Sequence, residues 1–523
     1  MSETHHVVIV LIGLLLVASG VAMATRWLRV PYTLLLVVVG LVISPMHFLP
    51  VVHISPDLIL LVFLPALLFE AAWNLKLDHL RANLVPILTL ALAGVVVSVG
   101  VVAVVLHYAA GLTYPTALLF GAMISATDPV SVLAIFKKLN LPARLSSVVE
   151  GESLFNDGTA VVVFRIILGV VLGVVSDSGV AIAFSSVREF VLVVFGGLAI
   201  GAAVGVVAST LTSRFEDYLL EITLTTVAAY GSYFAAETIG VSPVISVLVA
   251  GLVIGNYGRR IGMSATTQIA VNSFWEYAAF VVNSLVFLLI GLEVQLSSLA
   301  SDGLAIACGI AAMLAGRAVA VYTLMPVVNR FTQPAPWSWQ HVLFWGGLRG
   351  SLSIALALSL PLTVADRPLL VTMTFGAVLF SLLAQGLTMR PLLRRLGFTS
   401  VDRGCEELEL LQAALLVETS ARAELESLRD RGGLTDTLYR KLQGSLAAAR
   451  DELHARLAVL DVENSVLERE QEQRILDHLG DIRRARLAEL VREGLVAERT
   501  YEHLRRQLDD DMGERKNQST SEQ

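Results

Sequence analysis

Apolar residues dominate the chain up to about Arg395, and the remaining quarter is rich in Glu, Arg, Leu and Ala instead. A helix needs about 20 predominantly apolar residues to cross a hydrocarbon layer of ~30 Å, and fewer where it is broken or packed within protein. By that measure about thirteen spans are expected, starting near Val7, Tyr32, Leu58, Leu84, Thr116, Ser146, Phe190, Leu219, Ser242, Phe274, Gly303, His341 and Leu369. Two are interrupted, the fifth by Ala126-Thr127-Asp128-Pro129 and the twelfth by Gly346-Gly347-Leu348-Arg349-Gly350. The sixth opens on a polar run from Glu150 to Ala160 that holds three carboxylates. Beyond Gly397, Leu408, Leu411 and Leu415, then Leu453, Leu457 and Leu460, recur at helical spacing among charged residues. Gly433-Leu434 with Tyr439, and Gly494-Leu495 with Tyr501, interrupt that pattern in a similar way and predict two helical hairpins. The expected organisation is a membrane domain over 1–396, a helical domain over 397–512 and a disordered end over 513–523.

Charge gives this pattern a direction. Cytoplasmic loops collect Lys and Arg, and alternate loops here carry Arg26 and Arg29, Lys76 and Arg81, Lys137, Lys138 and Arg144, Arg214, Arg259 and Arg260, Arg330, and then Arg390, Arg394 and Arg395. The intervening loops Met46 to Asp57, Gly111 to Tyr114 and Val294 to Asp302 hold neither, with Arg188 and Arg367 as the exceptions. The N-terminus is expected outside and the C-terminus in the cytoplasm, in the plasma membrane. An odd number of spans lets spans one to six and eight to thirteen run in opposite directions, the frame of an inverted-topology repeat with a transport site at the midplane. The fifth and twelfth spans, both broken, then correspond. This repeat rests on topology, because the two halves share no clear sequence identity.

Composition agrees with a membrane protein: 55% hydrophobic, 16% charged, mean hydropathy +0.71, against about 25% charged residues in soluble domains. The net charge of −7 averages two environments and says little about partners; no nucleic acid is expected. Cys308 and Cys405 form no disulfide framework or metal-site spacing. Met1-Ser2-Glu3-Thr4-His5-His6 lacks the basic start of a signal peptide, so the first run reads as a retained span. His5 and His6 read as incidental.

The chemistry gathers where the spans are broken. Pro129 cannot donate the backbone hydrogen bond of a continuous helix, so the break frees carbonyls and leaves half-helix ends that can coordinate a cation or balance a charge. Asp128 fits both a capping role and an ion-site role. Ser153 and Asp157, four residues apart, share a helix face, with Asn156 beside them. Hydroxyl, carboxamide and carboxylate oxygens are the ligands hard cations prefer. A carboxylate in a partly dehydrated cavity gains proton affinity, so protons and cations compete for it. Packing alone, with Asp157 hydrogen-bonded to Asn156, is the bland alternative. Glu70, the only acid in its run, is either a second oxygen ligand or an interfacial residue near Trp73. Arg349 needs a buried counter-charge, with Glu152 and Glu150 the candidates, and Glu152–Arg349 reads as a structural pair. Arg165 and Arg317 also lie in spans, with partners that cannot be read. Glu276 and Glu293 are expected near span ends.

Ala126 to Val130, Gly151 to Asp157, Ala250-Gly251-Leu252-Val253-Ile254-Gly255-Asn256 and Gly346 to Gly350 resemble the signature segments of the first monovalent cation:proton antiporter family, which includes bacterial NhaP-type antiporters and eukaryotic sodium/proton exchangers. Arg29-Val30-Pro31-Tyr32 also fits. The resemblance covers roughly residues 7–396 and implies an all-α polytopic fold with two broken crossing helices. It implies a homodimer in the lipid bilayer, with a dimerisation domain and a six-helix core that moves to expose one site alternately to each side. It implies Asp157 as the ion- and proton-binding carboxylate and Asn156 as its characteristic neighbour. Ser153, the Thr127 backbone and Glu70 complete the coordination of Na⁺, Asp128 belongs to the crossing, and Glu152 pairs with Arg349. An Asn-Asp pair is associated there with electroneutral one-for-one exchange. Leu154-Phe155, where other apolar pairs occur, touches no ligand.

The leading expectation is a secondary transporter exchanging Na⁺, or Li⁺ or K⁺, for H⁺, with no cofactor. A cation channel and a membrane ion sensor signalling through the helical tail are the alternatives. No kinase, cyclase or other catalytic motif is present, and no phosphate-binding loop of an ATP-driven pump. The tail reads either as a module for a regulatory ligand or partner or as an appendage that aids assembly.

Overall fold

The computed structural model describes residues 3–459 apart from 26, 28–30, 45–56, 140, 173–178, 215–216, 294–300, 365, 399–402 and 431–434. The described residues form helices and connecting turns, with no strand. The chain divides into two compact units, Met1–Ser400 and Val401–Gln523.

The first unit begins with α1 (Glu3–Ala24), α2 (Tyr32–Ile43) and α3 (Leu64–Asn74), the last extending a π-helical turn over Leu58–Phe63. Then come α4 (Leu77–Ala82), α5 (Leu84–Leu88) and α6 (Val95–Ala110), α7 (Tyr114–Met123), α8 (Val130–Lys138) and α9 (Ala143–Val171). After these stand α10 (Gly179–Thr212), α11 (Tyr218–Ile239), α12 (Pro243–Val253), α13 (Arg259–Ile261) and α14 (Ala265–Glu293). The unit closes with α15 (Gly303–Val328), α16 (Trp337–Trp345), α17 (Ser351–Leu358), α18 (Arg367–Phe380) and α19 (Gly386–Arg395). A helix covers or abuts each expected span start, and among the described residues six helical segments are long and apolar enough to cross a membrane. The sixth expected span is unbroken: its polar run is absorbed into the 29 residues of α9.

Two groups of helices emerge from the packing. The paired helices α5–α6 pack on α15, and α7 on α6 and α9, while α18 packs on α15 and α17. In the other group α2 packs on α14, α3 on α12, and α10 on α11 and α12. The segment Ala250 to Asn256 is a staple of this second group. A Cβ at Gly255 would meet the Trp73 carbonyl oxygen at 2.4 Å, so only glycine lets the two backbones touch. The next residue, Asn256, accepts from the Leu77 amide at 2.9 Å and donates to the Leu75 carbonyl at 3.0 Å, which ties the turn after α3 in place.

The expected breaks are both present. α7 stops at Met123 and α8 starts at Val130, because Pro129 has no N–H to continue the ladder. α16 stops at Trp345 and α17 starts at Ser351, after the glycine-rich stretch. The unwound stretches touch: the Asp128 amide donates to the Leu348 carbonyl at 2.7 Å. A Cβ on Gly350 would sit 2.6 Å from an Asp128 carboxylate oxygen, so this approach also depends on glycine. Arg367, an exception to the loop-charge pattern, donates to the Leu360 and Leu358 carbonyls at 2.7 and 3.2 Å and so caps the end of α17.

In the second unit α20 (Arg403–Asp430) packs on α21 (Asp436–Val459) as a hairpin. Leu411, Leu425 and Tyr439 are buried, and the Arg429 guanidinium lies 4.5 Å over the Tyr439 ring. The second expected hairpin, with Gly494 and Tyr501, and the expected disordered end lie outside the described residues.

Candidate ion-binding site

The two breaks expose four helix ends, and each meets a compensating charge. Arg349 Nη1 donates to the Ser125 and Ala126 carbonyls at 2.7 and 3.1 Å, just past the negative end of α7. Arg317 Nη2 donates to the Leu343 carbonyl at 2.8 Å, at the negative end of α16. At the positive ends stands Asp128. Its Oδ1 accepts the Val130 amide of α8 at 2.9 Å, and its carboxylate lies against Gly350 before α17.

α9 runs past this crossing and presents its polar face to it. Arg317 Nη1 and Nη2 donate to Glu152 Oε1 and Oε2 at 2.6 and 2.8 Å, both side chains being buried. This corrects the expected Glu152–Arg349 pair: the partner of Glu152 is Arg317, and Arg349 is held by carbonyls. Two guanidiniums serve two breaks, and only Arg317, on continuous α15, faces the Glu152 side of α9. The signal for it was present in the sequence, because Arg317 is the only charged residue in the span from Gly303 to Val328.

One turn further on, Asn156 Nδ2 donates to the Ser125 carbonyl at 2.9 Å and to Thr127 Oγ1 at 3.2 Å, pinning the unwound stretch to α9. The Ser153 hydroxyl donates to the Thr127 carbonyl. The Thr127 amide donates to the Asp157 carboxylate, and Asp128, Glu152 and Arg349 lie within electrostatic range of it. Asp157 is the middle residue of α9, 14 residues from either end. Its Oδ1 and the Oδ1 of Asn156 are shielded from solvent without a hydrogen-bond partner. Buried acceptors are rarely left so, and two beside the Thr127 carbonyl and Ser153 hydroxyl form an oxygen-lined position suited to a hard cation. No cluster of three or more His, Cys, Asp or Glu able to hold a metal occurs among the described residues. The oxygens at this position come from carboxylate, carboxamide, carbonyl and hydroxyl groups.

Glu70 stands elsewhere. It accepts from Asn74 Nδ2 at 2.7 Å and lies in electrostatic range of Glu150, Lys137 and Glu276. Glu150 is seven residues before Asp157, about 10 Å along α9. The structure thus joins Thr127, Asp128, Glu152, Ser153, Asn156, Asp157, Arg317 and Arg349 at the crossing. Glu70 and Glu150 form a second acidic group toward the end of α9 that follows the Lys- and Arg-bearing loop.

Crossed broken helices with compensated ends around one incompletely satisfied carboxylate define a secondary transporter. The chain matches the family described as "Sodium/hydrogen exchanger, transmembrane" over residues 11–395. It is 47% identical over 370 residues to the Na⁺/H⁺ antiporter ApNhaP of Aphanothece halophytica, across 71% of this chain and 70% of that one. It is 40% identical over 480 residues to the low-affinity Na⁺/H⁺ antiporter NhaS1 of Synechocystis sp., across 90% and 89% of the two chains. Its fold is similar to the sodium proton antiporter MjNhaP1 of Methanocaldococcus jannaschii, with a TM-score of 0.63, 19% identity, and coverage of 76% of this chain and 99% of that one. The chain belongs to the sodium/hydrogen exchanger family.

Proposed function

We propose that this protein exchanges Na⁺ for H⁺ across the plasma membrane by alternating access, one ion for one proton, as a homodimer. The observation that carries this reading is the unpartnered Asp157 Oδ1 at the middle of α9. When ionised, Asp128, Glu152 and Asp157 place three carboxylates against the two guanidiniums of Arg317 and Arg349, leaving one negative charge. One proton or one Na⁺ neutralises it, so either occupant crosses with the same net charge. That equality supports electroneutral exchange. Asp157 takes the proton or the cation; Ser153, the Thr127 carbonyl and the Asn156 carboxamide oxygen complete the shell around Na⁺. Asp128 and Arg349 hold the crossing, and the Glu152–Arg317 pair braces it. Glu70 sits on the inner approach to the site. The relatives are named antiporters, which supports exchange over a channel or sensor. The helical tail lies in the cytoplasm, as the loop charges suggest, and serves assembly or regulation.

Everted membrane vesicles with an imposed pH gradient test this. Added Na⁺ should dissipate the gradient, and Asp157→Asn should abolish the response at equal membrane yield. Na⁺-driven proton movement that persists in Asp157→Asn would sink the assignment.

A further inference from the structure

A cavity of about 210 Å³ lies between the two helix groups, away from the Glu70–Glu150 group. Val161, Phe164 and Arg165 of α9 and Leu356 of α17 line one side; Tyr233 of α11 and Val244 of α12 line the other. Val161 and Phe164 continue the face of α9 that carries Asp157, one and two turns on. Both are buried, as are Val244 and Leu356, so an apolar seal separates the cavity from the carboxylate. Beyond that seal Arg165 is exposed. It lies eight residues from Asp157, about 12 Å along the helix, within the half-thickness of about 15 Å that a hydrocarbon layer allows. A guanidinium at that depth persists where it meets water or a counter-charge. Arg165 forms no ion pair among the described residues. The cavity it borders is large enough to admit water, with the Tyr233 and Ser359 side chains as polar partners.

The charges around this cavity differ from those on the other approach. Arg165 and Glu237 flank Tyr233, each within electrostatic range of its hydroxyl. Arg367 binds the carbonyls on either side of Ser359, which also lines the cavity. Arg165 and Glu237 thus stand beside the cavity, and Arg367 stands at its Ser359 end next to Asp366, whose carboxylate accepts from Thr116. The opposite approach carries Glu70, Glu150 and Glu276 against Lys137.

We propose that Arg165 is an electrostatic filter on the outer access path, lowering the apparent affinity for external Na⁺ without touching the ion in its site. The proposal rests on the antiport reading. A fixed positive charge beside the path lowers the local concentration of cations at the outward-open site and hastens their release. The carboxylates on the inner approach do the reverse. The two approaches thereby bias the kinetics toward loading from the cytoplasm and unloading outside, while the equilibrium of exchange stays set by the gradients.

The full-length chain in right-side-out and everted vesicles tests this by the apparent KM for Na⁺ on each face. Arg165→Gln should lower the outer-face KM about threefold to tenfold at low ionic strength, as expected for a unit charge about 12 Å away, and leave the inner-face KM unchanged. The difference should shrink as N-methylglucamine chloride is added. Arg165→Lys should behave as wild type, and Glu237→Gln should raise the outer-face KM. An unchanged outer KM in Arg165→Gln, or an equal change on both faces, overturns the filter. A Glu237→Gln shift in the same direction as Arg165→Gln does so too. A wild type without Na⁺-driven proton movement overturns the antiport reading and the filter with it.

Discussion

Glu152 and Asp157 are acids on the same helix, five residues apart, at the same crossing of broken helices. Glu152 has both oxygens taken by Arg317, at 2.6 and 2.8 Å. Asp157 receives the Thr127 amide and keeps Oδ1 without a partner. The difference lies in what surrounds each group rather than in the group. A buried carboxylate closed by a bidentate guanidinium has no capacity left for an ion and holds helices together. One left incomplete among carbonyl and hydroxyl oxygens has a vacancy that a proton or a cation fills.

The largest expected effect separates these roles directly. Asp157→Asn should remove exchange entirely while thermal stability holds or rises, because a neutral amide replaces an incompletely paired acid; a large fall in melting temperature would erase the distinction from Glu152. Next comes Arg317→Ala, which strands Glu152 and should cost about 3–5 kcal/mol. Glu152→Gln in that background should recover part of the loss. The same Glu152→Gln should give no recovery in Arg349→Ala, whose lost partners are the Ser125 and Ala126 carbonyls. Recovery in Arg349→Ala instead would restore the pairing that the structure rejects. Asn156→Asp should cost about 1–3 kcal/mol, since a carboxylate would face the Ser125 carbonyl where an amide donor stood. Denaturation in detergent should show this loss shrinking in acid, where a protonated carboxyl again donates. The smallest change is Ser153→Ala. It removes one hydroxyl from the Thr127 carbonyl, and a single net hydrogen bond of about 1 kcal/mol corresponds to roughly a fivefold rise in KM for Na⁺ with turnover retained.

How far the sequence could be read depends on the range of the physics involved. Pro129 and the Gly346–Gly350 stretch act locally on the backbone, so both breaks were visible in the chain. Ser153 and Asp157 were linked by helical spacing alone. The Glu152–Arg317 pair spans 165 residues, and three span guanidiniums, Arg165, Arg317 and Arg349, stood against Glu150 and Glu152 with no helical spacing to match them. Arg349's partners are backbone carbonyls, a group every residue carries, so no side-chain pattern marks them. The neighbours of Glu70, Asn74, Glu150, Lys137 and Glu276, were hidden for a related reason: the run around it gives its depth, but which helix it faces depends on how α3 packs. Arg367 broke the loop-charge pattern because its charge is engaged by the end of α17.

The amide of Asp128 and the carbonyl of Leu348 form one hydrogen bond between the two unwound stretches, and Arg349 crosses the same gap to reach Ser125 and Ala126. Four half-helices are thereby riveted into a single body. A displacement of that body would carry carboxylate, carbonyls and helix ends together. The ion would then meet identical coordination whichever compartment it came from, and an intrinsic binding constant common to both sides follows. Any left–right asymmetry in how the protein works must then be written into the corridors leading to the rivet rather than into the rivet itself.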